Sequence, residues 1–382
     1  MNPLGLYLHI PFCSAICNYC NFNRGLYDQA LKTRYVSALI QEIRREGRGL
    51  KQGPESGSAA DTIYFGGGTP SLIDPSDVAA LIDTCRTTFA MPADLEITME
   101  ANPETVTLET LDAFRAAGVN RLSFGVQSFR DDELKRLSRL HDASRARTVY
   151  RWARQAGFDN ISLDLMMWLP GQVLSHWMES IDALIDLSPD HASLYLLELY
   201  PHAPLREEMN RTGHTLAPDD EAAEMYLAAM ARLDNAAYTQ YEISNVARPG
   251  RRARHNLKYW TDGEWLGFGC GAHSTRWGVR WKNVSATEDY VRRVGEGVSV
   301  VSERRVMPRS AQLEEALFMG LRLNEGVDLE VLAGRYEVDV WERYGRALQP
   351  HLEAGLLRKE GIRLRLSRHG MLLSQEVMAV FV

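Results

Sequence analysis

The chain has 382 residues, 45% of them hydrophobic and 24% charged, so it can bury a sizeable core in one large domain with a small one, or in two to three ordinary domains. Its net charge of -7 argues against nucleic acid as the main partner, because phosphate binding needs a basic surface. The sequence shows no signal peptide and no apolar run near the roughly 18 to 20 residues of a membrane-spanning helix, so we expect a cytoplasmic protein.

The first two-thirds of the chain alternates strand-like and helix-like segments. The apolar stretch LYLHIPF is followed by a segment with helical spacing, ALKTRYVSALIQEIRREG. Later strand-like stretches are DTIYFGGG, DLEITMEAN, RLSFGVQS, NISLDLMMWLP and HASLYLLELY, which makes about six β/α units. This regular alternation predicts parallel strands with right-handed crossovers, either in an open doubly wound sheet or in an incomplete barrel.

Other segments depart from this alternation of strands and helices. Residues 47–61 are rich in Gly, Ser and Pro and predict a surface loop, whereas TQYEISNVA predicts a further strand. From residue 305 the order helix, helix, strand, turn, strand predicts a small winged-helix-like α+β domain. The predicted division is therefore residues 1–245, a connecting segment 246–304, and residues 305–382.

Three of the five cysteines, Cys13, Cys17 and Cys20, follow the first predicted strand. In a reducing compartment such a cluster indicates metal binding or catalysis. Structural zinc would need a fourth ligand, and the sequence has no second cysteine pair at zinc-ribbon spacing. On a four-iron cluster, three thiolates would leave one iron open for an outside ligand. Cys85 is expected to pack in the core, and the role of Cys270 is left open.

Polar residues and glycines stand at the predicted carboxyl ends of the next strands, where parallel β/α folds bind their ligands. The GGGTP stretch lets a backbone approach a ligand closely, but it is not a P-loop because no Gly-Lys-Ser/Thr follows. We expect these side chains to lie on one face with the thiols. The residues are Gly66 to Pro70, Glu100, Asn102, Gln127, Ser128 and Asp164.

The CxxxCxxC spacing followed by GGGTP resembles the radical S-adenosylmethionine (SAM) superfamily. Four further stretches make the resemblance more specific: YLHIPFC, EITMEANP, GVNRLSFGVQS and DLMMWLPGQ. With them the chain resembles the oxygen-independent coproporphyrinogen III oxidase-like family over nearly its whole length. The resemblance implies an α/β fold, an incomplete TIM-type barrel of about six β/α units, with the small C-terminal domain. It also implies a reduced 4Fe-4S cluster that cleaves SAM to a 5'-deoxyadenosyl radical.

The resemblance assigns roles to single residues. Cys13, Cys17 and Cys20 would hold the 4Fe-4S cluster, whose fourth iron binds the amino and carboxylate groups of SAM. Glu100 would accept hydrogen bonds from the ribose, and Arg139 would pair with the methionine carboxylate. The full implied SAM set is Tyr7, Tyr19, Gly67, Gly68, Thr69, Glu100, Gln127, Arg139 and Asp164. The plain alternatives are helix capping for Glu100 and Asp164, a solvated position for Arg139, and packing for Tyr19.

Two features favour the haem-chaperone branch of this family. The oxidases carry a further cysteine two positions after the third cluster ligand, where this chain has Phe22, and a phenyl ring cannot replace a thiol. The stretch HNLKYW, from His255 to Trp260, matches the HNxxYW pattern of the chaperone group. Because imidazole binds haem iron, the resemblance makes His255 the leading haem ligand, ahead of Cys270 and His273. The alternative is that HNLKYW pins a loop and fills an interdomain core.

The sequence thus predicts a haem chaperone that binds haem, a 4Fe-4S cluster and SAM, and delivers haem to an acceptor apo-protein. An electron donor such as a flavodoxin or ferredoxin is expected, and transient membrane association and either a monomer or a dimer are compatible with the sequence. Whether the chain catalyses a reaction is left open. The alternatives are a radical methylase of heteroaromatic rings, the oxidase itself, or a nucleic-acid binder with a basic hairpin (Arg358, Arg363, Arg365, Arg368). Trp168 replaces the usual glycine before LPGQ, near the expected ligand face.

Overall fold

The computed structural model of the protein describes residues 3–51 and 59–382. Its strands, in chain order, are β1 (Leu4–Ile10), β2 (Phe12–Cys13), β3 (Gly25–Leu26), β4 (Ala60–Gly67), β5 (Glu96–Ala101), β6 (Arg121–Gln127), β7 (Ile161–Met167), β8 (His191–Leu196), β9 (Thr239–Gln240), β10 (Asn245–Ala247), β11 (Trp265–Phe268), β12 (His273–Arg276), β13 (Val279–Asn283), β14 (Val301–Val306), β15 (Val327–Asp328), β16 (Leu357–Glu360) and β17 (Arg363–Leu366).

The α-helices are α1 (Gln29–Lys51), α2 (Pro75–Thr88), α3 (Leu108–Ala117), α4 (Asp131–Arg136), α5 (Ala143–Gln155), α6 (Leu174–Leu187), α7 (Pro204–Thr212), α8 (Asp219–Asn235), α9 (Arg254–Trp260), α10 (Thr287–Gly295), α11 (Arg309–Gly320), α12 (Leu329–Tyr336), α13 (Val340–Glu353), α14 (Arg368–Leu372) and α15 (Ser374–Met378). Short 3-10 helices lie at Pro70–Leu72, Pro103–Thr105 and Ala379–Phe381. No helix in the described part of the chain is long and apolar enough to cross a membrane.

The strands β1, β4, β5, β6, β7 and β8 lie side by side in chain order, and each pairs in parallel with the next. Their residues are mostly buried, as expected for parallel strands covered on both faces. A doubly wound sheet would place later strands on both sides of the first. The sequential order is that of a TIM-type barrel, so the predicted α/β fold with six β/α units is confirmed.

Both edges of this parallel sheet are extended. Strand β11 pairs in parallel with the free edge of β1, and β12, β13 and β14 follow as antiparallel strands. At the opposite edge β10 pairs antiparallel with β8 and β9, so the strand predicted at TQYEISNVA is present as two short strands. The predicted connecting segment, residues 246–304, therefore contributes β11, β12, β13 and most of β14 to the main sheet, together with the end of β10.

The C-terminal part has a separate hydrophobic core and its own three-stranded sheet in the order β15-β17-β16. Helix α11 and the β16–β17 hairpin match the prediction, whereas the second predicted helix is divided into α12 and α13, and the short strand β15 precedes α12. Three of the four hairpin arginines are engaged in ion pairs with carboxylates. The pairs are Arg363–Asp328, Arg365–Glu360 and Arg368–Asp234. These ion pairs account for much of the local basic charge without a ligand.

The loop predicted at residues 47–61 is only partly covered by the structure. Helix α1 continues to Lys51, and β4 begins at Ala60. Residues 52–58, which make up the middle of the predicted loop, lie outside the described residues. The prediction was therefore wrong for the first five residues of that stretch, which are helical, and stays a prediction for its middle.

Candidate functional site

The three clustered cysteines lie on a loop that follows β1. Strands β2 and β3 pair in parallel and close the base of this loop, where Tyr27 N donates to Cys13 O at 2.9 Å. Within the loop, Cys20 N donates to Cys17 O at 3.2 Å. Cys13 is buried, while Cys17 and Cys20 are partly exposed. The loop thus presents three thiols beside the carboxyl end of the first strand.

Two polar side chains contact the sulfur atoms. Thr69 Oγ1 lies 3.5 Å from Cys13 Sγ, and Arg139 Nη1 lies 3.5 Å from Cys17 Sγ. Burial raises the pKa of the Cys13 and Cys20 thiols, and the Thr69 hydrogen bond and the Arg24 charge oppose this in part. Hydrogen bonds and positive charge favour a thiolate, the form that binds metal. Thr69 and Arg139 therefore offer hydrogen bonds that would stabilise the thiolates of Cys13 and Cys17 once a metal binds.

The thiols do not converge as ligands of a single ion would. Among residues 3–51 and 59–382, no three His, Cys, Asp or Glu side chains are arranged to hold one metal ion. A four-iron cluster does not need such convergence, because each thiolate binds a different iron. Three thiolates would bind three irons of such a cluster and leave the fourth iron open.

The GGGTP turn packs directly against the cysteine loop. A Cβ atom on Gly68 would lie 2.7 Å from Phe12 O and 3.0 Å from Cys13 Sγ. Gly67 has a φ of +120°, and a Cβ atom there would lie 2.6 Å from the His9 ring. Both positions need glycine, one for space and one also for its backbone conformation.

The amide groups of this turn already have partners. Gly68 N donates to Ile10 O at 2.8 Å and Thr69 N donates to Phe12 O at 2.7 Å. Gly67 N donates to a carboxylate oxygen of Glu100 at 3.2 Å. An ammonium group, which only donates, would have to use carbonyl oxygens here. The turn is thus better suited to the amino end of an amino acid than to an anion.

Two carboxylates come from neighbouring parts of the parallel sheet, Glu100 from β5 and Asp164 from β7. Glu100 accepts from Tyr64 OH at 2.7 Å and from Gly67 N, and burial, with the Asp164 charge, raises its pKa to about 7. Asp164 accepts from Ser123 Oγ at 3.0 Å, and burial raises its pKa. Neither carboxylate caps a helix, so the plain alternative for these two residues does not describe their contacts.

Arg139 lies between the cysteine loop and the ends of β5 and β6. Its Nη2 donates to Asn102 Oδ1 and to Gly125 O, both at 2.8 Å. Its side chain is only 4% exposed, so it is not a solvated helix residue. Its Nε is buried and has no hydrogen-bond partner in the described part of the protein. A buried guanidinium N–H without a partner is suited to an anionic ligand such as a carboxylate.

The other predicted SAM residues lie in the same region. Gln127 has a φ of +70° at an irregularity between β6 and β7, and its amide would contact a Cβ atom on Gly125 at 3.0 Å. Tyr19 packs against a small leucine cluster, and its burial raises its pKa. Tyr7 OH bonds to His9 Nδ1 at 3.1 Å. Most of the predicted set thus lies towards the carboxyl ends of the strands, while Tyr7 and Asp164 lie in the middle of β1 and β7, and the roles of all these residues in SAM binding stay predictions.

His255 lies at the other end of the parallel strands. Helix α9 is anchored by Glu96, the first residue of β5, which accepts from His255 N at 3.0 Å. The His255 ring bonds to Thr62 Oγ1 and to Tyr259 OH, both at 2.9 Å, and is 1% exposed. Burial, followed by the Lys258 charge, lowers its pKa to about 3. Both ring nitrogens are thus bonded in a buried place, and the assignment of His255 as a haem ligand stays a prediction.

The remaining cysteines and His273 differ from one another. Cys85 is fully buried in the main core, as expected. Cys270 is also fully buried, and its Sγ lies 3.6 Å from Asn23 Nδ2. His273, on β12, is exposed, and neither ring nitrogen forms a hydrogen bond within the described residues. Of the secondary haem-ligand candidates, only His273 has an accessible side chain.

Trp168 follows β7, at the same end of the sheet as the cysteines. Its φ is +66°, the left-handed region in which a glycine costs nothing and a tryptophan is strained. Its indole Nε1 donates to Ala217 O at 2.7 Å, in the segment before α8. Trp168 therefore has a backbone conformation that favours glycine, and its indole is hydrogen-bonded to a neighbouring loop.

Several contributors to the site were missed in the sequence. Tyr64 donates to Glu100, His9 bonds to Tyr7 and to Asn23 O, and Gly125 accepts from Arg139. Strand periodicity was the available signal, because alternate residues of a strand point to the same face. Tyr7 and His9 share a face of β1, and Tyr64 pairs with Tyr7 across to β4.

Comparison with known proteins agrees with this site. Residues 7–184 match the Radical SAM superfamily, and residues 307–373 match the HemN C-terminal domain. The structure of coproporphyrinogen III oxidase (HemN) from Escherichia coli, described as a radical SAM enzyme, superposes with a TM-score of 0.86 over 99% of this chain and 90% of that chain. At 24% identity this likeness shows the fold alone. Fold, cysteine loop and sequence match together define a radical SAM protein, a class that uses a 4Fe-4S cluster and SAM.

More similar relatives identify the family within this class. Heme chaperone HemW of Bacillus subtilis is 35% identical over 98% of both chains. Heme chaperone HemW of Escherichia coli is 39% identical over 71% of this chain and 70% of its own length. Radical S-adenosyl methionine domain-containing protein 1, mitochondrial, of Bos taurus is 36% identical over 98% of this chain and 85% of its own length. The chain belongs to the HemW family.

Proposed function

We propose that this protein is a haem chaperone that carries haem, a 4Fe-4S cluster and SAM, and that hands haem to an acceptor apo-protein. The observation that carries the proposal is the similarity to Heme chaperone HemW of Bacillus subtilis over 98% of both chains. The site adds support, because Phe22, two positions after Cys20, offers no thiol for the chemistry of an oxidase. In this account haem is the cargo.

The residues present fit the two resident cofactors. Cys13, Cys17 and Cys20 would hold the cluster, with Thr69 and Arg139 donating to two of the sulfurs. The free Nε of Arg139 would receive the methionine carboxylate, and the GGGTP turn would receive its ammonium group. Glu100 would accept from the ribose hydroxyls, while Tyr7, Tyr19, Gln127 and Asp164 complete the polar surroundings. When bound, the cluster supplies an electron for SAM cleavage.

The cysteine loop also carries exposed apolar residues. Ile16 is 48% exposed, Phe22 70% and Leu26 62%. Exposed apolar surface beside a redox site supports brief docking of another protein. We propose a small electron donor, such as a flavodoxin or ferredoxin, at this loop, in a cytoplasmic protein that is a monomer or dimer and contacts membranes only transiently.

Transfer to an apo-protein tests the proposed function. The protein is reconstituted anaerobically, loaded with haem, separated from free haem and mixed with apo-myoglobin, and the globin absorption spectrum is recorded over time. We expect one haem per chain to move to the globin, because a carrier must release its cargo. Protein that retains no haem through the separation would overturn the proposal.

The second candidate is a radical enzyme of the same family, which the HemN-like fold favours. Reconstituted protein is incubated with coproporphyrinogen III, SAM and dithionite, and porphyrinogens and 5'-deoxyadenosine are separated by chromatography. We expect coproporphyrinogen III to be unchanged. Protoporphyrinogen formation over several turnovers would replace the chaperone by the oxidase.

A further inference from the structure

A cavity of about 390 Å³ lies between β1, the residues that follow Cys20, and the strands β11, β12 and β13. This volume is within the range of roughly 300 to 1,000 Å³ that is usual for small-molecule sites. The cavity is separate from the buried turn around Gly68, because Tyr7 and His9 form its wall on the side of β1. Nothing in the SAM set except Tyr7 borders it.

The lining is rich in flat apolar groups. Phe22, Tyr259 and Trp265 border the cavity, and Phe22 is 70% exposed. Tyr259 and Trp265 meet edge to face, with ring centroids 4.7 Å apart. Aromatic rings of this kind provide a large contact area for a flat ligand. The residue that separates this chain from the oxidases, Phe22, is thus part of the wall.

Two histidines line the cavity, and they differ in their hydrogen bonds. His9 bonds through Nδ1 to Tyr7 OH at 3.1 Å and through Nε2 to Asn23 O at 2.7 Å. Neither ring nitrogen of His273 forms a hydrogen bond within the described residues. Partial burial, followed by the Lys282 charge, lowers the pKa of His273, so its ring is neutral at pH 7 and can donate a lone pair.

The other groups at the cavity are weaker ligands. Burial raises the pKa of Tyr7 and of Tyr259, which keeps both phenols protonated, whereas iron binds the phenolate. Lys282 is the cross-strand neighbour of His273 and also borders the cavity. An ammonium group beside an imidazole suits an apolar ligand that carries both an iron atom and carboxylates.

We propose that haem binds in this cavity, with a ring nitrogen of His273 as a ligand of the iron and Lys282 paired with a propionate, an assignment that rests on the proposed function. His255 acts through another residue, since its Nε2 bonds to Tyr259 OH and holds that ring at the cavity wall. It is a positioning residue and does not touch the haem. The site also places haem next to the cluster loop, because Phe22 and Asn23 belong to both.

Haem titration of variants, followed by absorption spectroscopy, tests the assignment. His273→Ala is compared with the wild type and with His369→Ala, which removes an exposed histidine of the C-terminal part. We expect the dissociation constant of His273→Ala to rise by about tenfold or more, with loss of the histidine-ligated spectrum. His369→Ala should bind as the wild type does. Circular dichroism of each variant establishes that it is folded.

A ligand exchange gives a positive result that misfolding cannot mimic. In His273→Cys the haem spectrum should change from that of a histidine-ligated to that of a thiolate-ligated iron. His255→Ala, where folded, should keep the histidine-ligated spectrum. Wild-type affinity and spectrum in both His273 variants would overturn the location while the chaperone function stands. A wild type that binds no haem would overturn the function itself, so the two failures are distinguishable.

Discussion

At the carboxyl ends of the parallel strands, Arg139 Nε is buried with no partner among the described residues, whereas at the amino ends His255 has a partner for each ring nitrogen. His255 belongs to the HNLKYW motif and Arg139 to the residues that the resemblance assigns to SAM, and both are almost fully buried. An unpaired buried donor is costly unless a ligand satisfies it. A fully bonded imidazole stabilises the fold and has no lone pair left for a metal.

This contrast distinguishes residues that bind cofactors from residues that stabilise the fold. The cysteines, the GGGTP turn and Arg139 stand where a TIM-type barrel gathers its ligands, while helix α9 packs inside the opposite end. A sequence motif that identifies a family can therefore act by stabilising the fold. Variants at the carboxyl ends should therefore lose cofactor, and variants at the amino ends should lose stability.

The largest expected effect is at the cysteine loop. Cys13→Ala should reduce the iron content after anaerobic reconstitution from about four per chain to nearly none, because two thiolates do not hold a four-iron cluster. Iron analysis and the visible absorption of the cluster measure this. Cys85→Ala, which shortens a side chain in the main core, is the matched control and should retain its iron. Full cluster loading of Cys13→Ala would contradict the assignment of the loop.

At the opposite end, His255→Ala should lower the free energy of unfolding by about 2–4 kcal/mol. The variant leaves Thr62 and Tyr259 without their ring partner in a buried place. Urea unfolding followed by circular dichroism measures the change, and His369→Ala should stay within about 0.5 kcal/mol of the wild type. A His255→Ala protein of unchanged stability that no longer binds haem would reverse the contrast between the two ends.

The pH dependence of the free energy of unfolding tests whether the His255 ring is buried in the folded chain. The pKa of His255 is lowered by burial to about 3 in the folded chain, against about 6.5 when unfolded. Below that unfolded value the unfolded chain binds a proton that the folded chain does not. The stabilisation is therefore complete above about pH 6.5 and declines by about 1.4 kcal/mol per pH unit towards pH 3. The slope should be lost in His255→Gln, and equal slopes in the two proteins would show that the ring is accessible.

Glu100→Gln should weaken SAM binding by about 1.5–3 kcal/mol, the usual range for a hydrogen bond to a charged group. Burial raises the pKa of Glu100 to about 7, so the carboxylate forms as the pH rises through neutrality. SAM affinity of the wild type, measured by titration calorimetry, should rise between about pH 6 and pH 8. The affinity of Glu100→Gln should be flat over this range. A wild-type affinity that falls with pH would contradict ribose binding by the carboxylate.

The smallest effect is expected at Trp168. Trp168→Gly relieves a φ of +66° but loses the bond from the indole to Ala217 O, so its stability should lie within about 1 kcal/mol of the wild type. Trp168→Ala loses the same bond and keeps the strain, so it should be less stable than Trp168→Gly by about 1 kcal/mol. Thermal unfolding of the two variants side by side decides the point, and the reverse order would show that the turn carries no strain.

The sequence predicted those features whose signal lies in residues that are close together along the chain. The six β/α units follow from alternating apolar strands and amphipathic helices, and the cysteine spacing and GGGTP turn lie next to the strands that position them. The pairing of β11 with β1 was not predictable, since β11 has four residues and its partner is at the start of the chain. The hydrogen bonds of His255 could not be predicted either, because Thr62 and Glu96 are far from it in sequence and contact it only in the folded chain.

Haem binding by the wild-type protein is the property on which the proposed chaperone function depends. Haem is titrated into the anaerobically reconstituted wild-type protein with its cluster loaded, and the absorption spectrum is followed to saturation. We expect saturable binding of about one haem per chain with a histidine-ligated spectrum. Absorption that grows without saturation, as for haem bound weakly at many places, would contradict it.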